Sequence, residues 1–114
     1  MLKKANRIVR SKEFDRVFKL GQSFYGQNIG IKVFKNTKEE IRLGLLVGTK
    51  VSKKAPTRNK IKRQIRDIFR KEMPILSRGK DIVIVALRPI LNKKYQEIQT
   101  DLKSVLKKLK LYKK

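Results

Sequence analysis

The sequence predicts a two-layer α/β (α+β) sandwich with a small mixed sheet and the element order α-β-β-α-β-α. Apolar residues recur at every second position in residues 29–34 and 41–48, as they do in strands with one buried face. Residues 82–87 are continuously apolar, which indicates a strand covered on both faces. Three other segments carry apolar residues at helical spacing. Helices that bury such stripes against a sheet give this fold class.

The first helix is expected to begin at Ser11, whose hydroxyl can cap a free backbone N–H, and to end at Gly21. Phe14, Val17 and Phe18 lie three and four residues apart, so they share one face of this helix. That face is the candidate contact of the helix with the sheet.

The connections carry the residues that turns favour. Residues 23–26 either open the first strand or form an additional one, and the polar residues 36–40 predict a hairpin loop. Gly79 is free to take a positive φ in the turn before the third strand. Asn92 is expected to cap the last helix. The apolar stripe of that helix consists of Tyr95, Ile98, Leu102, Val105, Leu106 and Leu109.

Residues 53–70 predict a helix with one apolar face and one cationic face. Pro56 and Thr57 are expected to start it, with Thr57 as the cap. The apolar face consists of Ile61, Ile65, Ile68 and Phe69. The opposite face consists of Asn59, Lys62, Arg63, Arg66 and Arg70. Like charges stacked on one helix face cost stability, so an anionic partner is expected.

The composition supports a polyanionic partner. The chain has 114 residues, with 32 Lys and Arg against 9 Asp and Glu, and a net charge of +23. One domain spans residues 1–114, and its basic ends, 1–10 and 111–114, are expected to be flexible. Nucleic acid is the first candidate partner and an acidic membrane surface the second. The chain has no cysteine and no apolar run long enough to span a membrane, so the expected location is the cytoplasm.

The sequence offers little for catalysis by the polypeptide. Histidine, the commonest general base, is absent. The acids lie scattered among cations, and Glu39–Glu40 is the one adjacent pair. No catalytic residue and no tightly bound metal ion are therefore expected on the protein.

The segment Arg58-Asn59-Lys60-Ile61-Lys62-Arg63-Gln64-Ile65-Arg66 resembles the Arg-Asn-Arg motif of the protein subunit of bacterial ribonuclease P. The flanking strands and helices follow in the order of that family, so the resemblance covers nearly the whole chain. The family usually has arginine where this chain has Lys60, which keeps the charge but loses the two-pronged hydrogen-bonding geometry of arginine.

The resemblance implies a ribonucleoprotein endoribonuclease that removes the leader of precursor tRNA. A catalytic RNA with bound Mg²⁺ would do the chemistry, and one protein monomer would bind each RNA. It also implies a left-handed strand–helix–strand crossover. The residues expected to bind the catalytic RNA are Lys50, Lys53, Lys54, Arg58, Asn59, Lys60, Lys62, Arg63, Arg66 and Arg70. By helix angle Arg58 lies near the apolar edge, where it is expected to brace the preceding loop.

The family also implies a cleft between the first helix and the sheet that binds the single-stranded leader. The stacking residues of that cleft carry over to Phe14 and Phe18. A tyrosine common on the adjacent strand is replaced here by Lys32, which substitutes a phosphate contact for a stack.

Three other functions are compatible with parts of the sequence. A ribosomal or chaperone-like RNA-binding module would use the same basic helix without a leader cleft. A membrane-active protein would use the basic last helix, although the chain has no tryptophan and its charge is dispersed. A protein-only nuclease would need an acidic metal site.

Overall fold

The structure, a computed structural model that describes residues 2–114, consists of one four-stranded sheet, three α-helices and short 3₁₀ turns. The strands are β1 (Gln22–Tyr25), β2 (Ile29–Lys35), β3 (Arg42–Leu46) and β4 (Lys80–Ala86). The helices are α1 (Ser11–Leu20), α2 (Ala55–Glu72) and α3 (Tyr95–Lys108). The fold class is confirmed, and residues 22–25 form the additional strand.

The strands lie in the order β1-β2-β4-β3. β2 pairs antiparallel with β1 and with β4, and β3 pairs parallel with β4. The predicted hairpin at residues 36–40 is therefore wrong, because β4 lies between the two strands that this turn connects. β4 occupies the interior because its apolar run needs cover on every side: Ile82, Val83 and Ile84 are each 0% exposed.

The main core lies between one face of the sheet and the helices α2 and α3. Alternate residues of β2 and β4 point into it, among them Ile31 and Ile84. α2 contributes the predicted apolar stripe of Ile61, Ile65, Ile68 and Phe69, and α3 contributes Ile98, Leu102, Val105 and Leu106. This packing fixes the rotation of α2 about its axis, so its cations point outward.

The helix α1 packs on part of the opposite face of the sheet. Val17 and Val83 are fully buried there, with Ile8 beside them and Phe14 packed at the edge. The cover is incomplete at the β1 edge of this face, where Tyr25 is 52% exposed.

Three predicted caps are wrong. α1 begins after Arg10, with Ser11 already helical and Glu13 accepting a hydrogen bond from the backbone N–H of Arg10. α2 begins at Ala55, so Thr57 lies within its first turn. α3 begins at Tyr95, while Asn92 takes a φ of 71° in the preceding turn. Gly21 follows α1 as predicted, and Gly79 has a φ of 74°.

The chain ends add contacts to the main core. Leu2 and Leu111 are buried in it. The Tyr112 hydroxyl donates a hydrogen bond to Glu72 at the end of α2 (2.7 Å), and burial raises the pKa of this tyrosine. Flexibility of the two ends stays a prediction. Within residues 2–114, no helix combines the length and apolar character that crossing a bilayer requires.

Candidate nucleic-acid interface

The outer side of α2 and the loop before it form a cationic surface. It consists of Lys50, Lys53, Lys54, Arg58, Asn59, Lys60, Lys62, Arg63, Arg66 and Arg70. Within the described residues, one member of this surface has an acidic partner, since Arg70 pairs with Asp67 at 2.9 Å. The remaining charges repel one another, and an anionic ligand would relieve that repulsion.

Arg58 differs from the other members because its side chain turns back toward the loop. Its Nη1 donates a hydrogen bond to the backbone carbonyl of Ser52 at 3.0 Å. The Ser52 hydroxyl accepts a hydrogen bond from the N–H of Lys54 at 3.2 Å, and Val51 is buried nearby in the main core. Arg58 therefore braces the loop that presents Lys50, Lys53 and Lys54, as its helix angle predicts.

The cationic surface meets the α1 side of the sheet at the edge strand β3. Lys62 and Arg66 line a groove of about 160 Å³ there, together with Arg7 and Phe14. The Phe14 ring lies directly on Gly44, where an added Cβ would come within 2.5 Å of the ring. Cations and an aromatic ring thus share one groove. Phe14 lies at this junction, one helical turn before Phe18 on the same face of α1.

Phe18 and Lys32 lie together on the open part of the α1 face. The Phe18 side chain is 38% exposed, and the Lys32 ammonium lies 5.3 Å from the centre of its ring. The same ammonium lies 5.5 Å from the ring of Tyr25, on β1. The structure therefore places the predicted cleft residues Phe18 and Lys32 in contact and adds an aromatic residue, Tyr25, beside them.

Tyr25 was missed by the sequence analysis because its orientation depends on strand pairing. It faces Gly30 in the register of β1 with β2, and Ser23 faces Lys32. Side chains of paired residues point to the same face of a sheet, which places Tyr25 on the face that carries Lys32. A hairpin register for residues 22–35 would have revealed this. The sequence alone leaves 23–26 either as part of the first strand or as another strand.

Arg42 anchors α1 above the sheet. Its guanidinium donates two hydrogen bonds to Asp81 on the neighbouring strand, at 2.8 and 2.6 Å, and a third to Glu13 on α1. The bond from Arg42 lowers the pKa of Glu13, and the hydrogen bonds to Asp81 raise the pKa of Arg42. Arg42 and Asp81 are 7% and 1% exposed, so water screens the pair weakly.

Several of the acidic side chains already hold structural partners. The Tyr95 hydroxyl and the Arg70 guanidinium lower the pKa of Asp67 to about 2. Asp101 accepts hydrogen bonds from the backbone N–H groups of Asn28 and Ile29, at 2.8 and 3.1 Å. Within residues 2–114, no three acidic side chains come together as a metal site would require. These acids hold elements of the fold together.

The family model described as Ribonuclease P matches residues 2–110. The chain belongs to the ribonuclease P protein family. It is 38% identical over 112 residues to the ribonuclease P protein component of Pseudanabaena sp., covering 97% of each chain. It is 35% identical to the component of Bacillus pumilus, covering 97% of this chain and 93% of that one.

Solved ribonuclease P proteins have the same fold. The protein of Staphylococcus aureus matches with a TM-score of 0.89 and 33% identity, covering 96% of this chain and 100% of that one. The protein of Thermotoga maritima matches with a TM-score of 0.81 and 29% identity, covering 90% and 96%. A ribonuclease P protein is a subunit of an RNA-based endoribonuclease that processes tRNA, so the function predicted from the motif is confirmed.

Proposed function

We propose that this ribonuclease P protein binds the catalytic RNA through the cationic surface and binds the leader of precursor tRNA through the cleft beside α1. It thereby assists endonucleolytic removal of the leader, which gives the mature 5′ end. The observation that carries this proposal is the groove at β3, where Lys62 and Arg66 of the cationic surface meet Phe14 of α1. One continuous surface can therefore contact both RNAs.

Contact with the catalytic RNA is assigned to the outer side of α2 because charge and exposure coincide there. Arg63 and Lys60 are exposed, and neither has an acidic partner within the described residues. Lysine and arginine at such positions neutralise phosphates and release counterions, which gives affinity with little base recognition. Arg58 acts partly through the loop, since its hydrogen bond to Ser52 fixes the loop lysines.

Contact with the leader is assigned to the open sheet face beside α1. Unpaired bases stack on aromatic rings without strong sequence preference, and Phe18 offers an exposed ring there. Lys32 lies beside this ring and supplies a charge for the leader phosphates. Phe14 borders the cleft at the junction with the cationic surface.

The chemistry belongs to the RNA in this proposal. The acids of the protein are few, and Asp67, Asp81 and Asp101 are each held by hydrogen bonds within the fold. Mg²⁺, which the holoenzyme needs, is bound mainly by RNA and supplies Lewis-acid assistance to phosphodiester hydrolysis. The protein cations screen phosphate repulsion as the two RNAs approach. One protein monomer serves each RNA, in the cytoplasm.

The decisive experiment measures cleavage of precursor tRNA by the protein alone, by ribonuclease P RNA alone and by both. We expect no cleavage by the protein alone and faster cleavage by both than by the RNA alone at moderate Mg²⁺. Cleavage by the protein alone would contradict the proposal in favour of a protein nuclease. Tight RNA binding without faster cleavage would favour a general RNA-binding module.

A further inference from the structure

We propose that Tyr25 is a second stacking residue of the leader cleft, which holds an unpaired leader base against its ring across from Phe18. The proposal rests on the leader cleft proposed above and adds to it a residue on another strand. Tyr25 would supply a second aromatic ring on the other side of Lys32 from Phe18.

The Tyr25 ring is seated on the sheet at Gly30. An added Cβ at Gly30 would come within 2.3 Å of Cδ1 and 2.5 Å of Cε1 of Tyr25, so the ring lies against the bare backbone. A seat of this kind restricts the tilt of the ring while leaving the side chain 52% exposed. A ring held in place and open to solvent can stack a base with little loss of conformational freedom.

The Lys32 ammonium lies between the rings of Phe18 and Tyr25. It lies over both, at 5.3 and 5.5 Å from the ring centres. A cation held this way on exposed rings is bound weakly, and a nucleobase can take its place because stacking is stronger. The displaced ammonium then lies at the entrance to the cleft, within reach of a phosphate of the same strand.

The hydroxyl of Tyr25 has no structural task within residues 2–114. The other two tyrosines each donate a hydrogen bond to an acid of α2, Tyr95 to Asp67 and Tyr112 to Glu72, both at 2.7 Å. These bonds tie α3 and the chain end to α2. Tyr25 makes no such bond among the described residues and lies on the edge strand of the sheet. Its exposed ring is therefore available to a ligand.

Phe24 provides a matched control on the same strand. It is 40% exposed, close to the exposure of Tyr25, but it pairs with Ile31 and so points to the opposite face of the sheet. Substituting Phe24 removes an exposed ring from β1, as substituting Tyr25 does, but leaves the cleft unchanged.

The first test uses the holoenzyme reconstituted with ribonuclease P RNA. The measurement is the ratio of affinities for precursor tRNA with a leader of several nucleotides and for mature tRNA. We expect Tyr25→Leu to lower this ratio by about 5- to 150-fold, the effect of one lost stack. Tyr25→Phe should keep the ratio, and Phe24→Leu should leave it unchanged.

The Phe18→Leu variant distinguishes failure of this inference from failure of the proposed cleft. A lowered ratio for Phe18→Leu with an unchanged ratio for Tyr25→Leu would overturn the role of Tyr25 and leave the cleft standing. Unchanged ratios for both variants would overturn the cleft itself. Thermal unfolding of each variant shows whether the protein is folded.

A second measurement does not depend on loss of binding. The chain contains no tryptophan, so Tyr25→Trp introduces a single fluorescent reporter that can itself stack. We expect its emission in the holoenzyme to be quenched by precursor tRNA and to change little with mature tRNA. Phe24→Trp should respond equally to both. Equal responses from Tyr25→Trp would contradict stacking at this residue.

Discussion

Arg42 and Asp81 face each other on the parallel strands β3 and β4, and their side chains form a two-point ion pair beneath α1. The pair is buried, and Arg42 extends it to Glu13 on the helix. The position of α1, and with it the cleft wall that carries Phe18, depends on this pair.

Removing Asp81 should destabilise the protein strongly, because the buried Arg42 loses two of its three charged hydrogen bonds and keeps only the one to Glu13. We expect Asp81→Ala to lower the free energy of unfolding by about 3–5 kcal/mol. Lys93→Ala breaks the exposed pair of Lys93 with Glu97 and should cost no more than about 1 kcal/mol. Urea denaturation measures both variants. Equal losses would show that the buried pair contributes no more than an exposed one.

Stability should fall in acid partly through Glu13. The hydrogen bond from Arg42 lowers its folded pKa below the usual 4.5. A carboxyl with a depressed folded pKa stabilises the fold above its unfolded pKa, and this contribution is lost as the pH falls from about 4.5 through the lower folded value. We expect wild-type stability to drop more steeply below this pH than that of Glu13→Gln. Glu40→Gln, an exposed control, should follow the wild type, and parallel curves for all three would contradict this account.

The two faces of α2 should separate stability from RNA binding. Ile65 is fully buried, so Ile65→Ala should lower the free energy of unfolding by about 2–5 kcal/mol. Arg63 is exposed, so Arg63→Ala should change stability by no more than about 0.5 kcal/mol and weaken binding to the catalytic RNA. Denaturation and RNA titration of both variants test this. The reverse ranking in denaturation would mean that α2 is rotated about its axis.

Binding to the catalytic RNA should depend steeply on salt. If the cationic surface makes roughly six phosphate contacts, log affinity should fall against log salt with a slope of about −4 to −5. Removing one contact, as in Arg63→Ala, should flatten the slope by about 0.7–0.9. Titrations over a range of salt concentrations measure both slopes. A wild-type slope flatter than about −1 would remove the electrostatic account.

No single carboxylate of the protein should be essential for the chemical step. Glu39 and Glu40, the one adjacent acidic pair, are exposed, and alanine at either should leave the cleavage rate within about tenfold of wild type. The other acids should behave alike wherever the variant still folds. Single-turnover cleavage at saturating protein and ample Mg²⁺ measures this. A loss of several orders of magnitude in a folded variant would move catalysis to the protein.

The sequence predicts well what local periodicity determines. The rotation of α2 follows from four apolar residues at helical spacing, and the structure buries the same four. The order of the strands in the sheet could not be predicted in this way. β4 pairs with β2 across more than forty residues, and periodicity does not indicate which strands pair. The predicted capping roles of Ser11, Thr57 and Asn92 were wrong. In α1 and α3 a Glu at the third helical position accepts a hydrogen bond from the N–H of the residue before the helix.

The candidate site divides in the same way. The cations of α2 could be predicted because each sits on the outer side of one helix. The partnership of Arg42 with Asp81, and the place of Tyr25 beside Lys32, could not, because both depend on the register between strands distant in sequence or unassigned. Contacts between side chains on paired strands are therefore the part of the site that only the structure reveals.

The helix α2 is also the connection between the parallel strands β3 and β4, and this has a consequence for synthesis on the ribosome. A nascent chain that ends just after α2 has every residue of the cationic surface but no β4 to complete the sheet. β3 can pair with β4 only after β4 has left the exit tunnel, because β3 precedes α2 in the sequence and β4 follows it. Until then α2 is a cationic segment without its sheet, next to the RNA of the ribosome. The last third of the chain thus converts a nonspecific RNA-binding segment into a surface of defined shape.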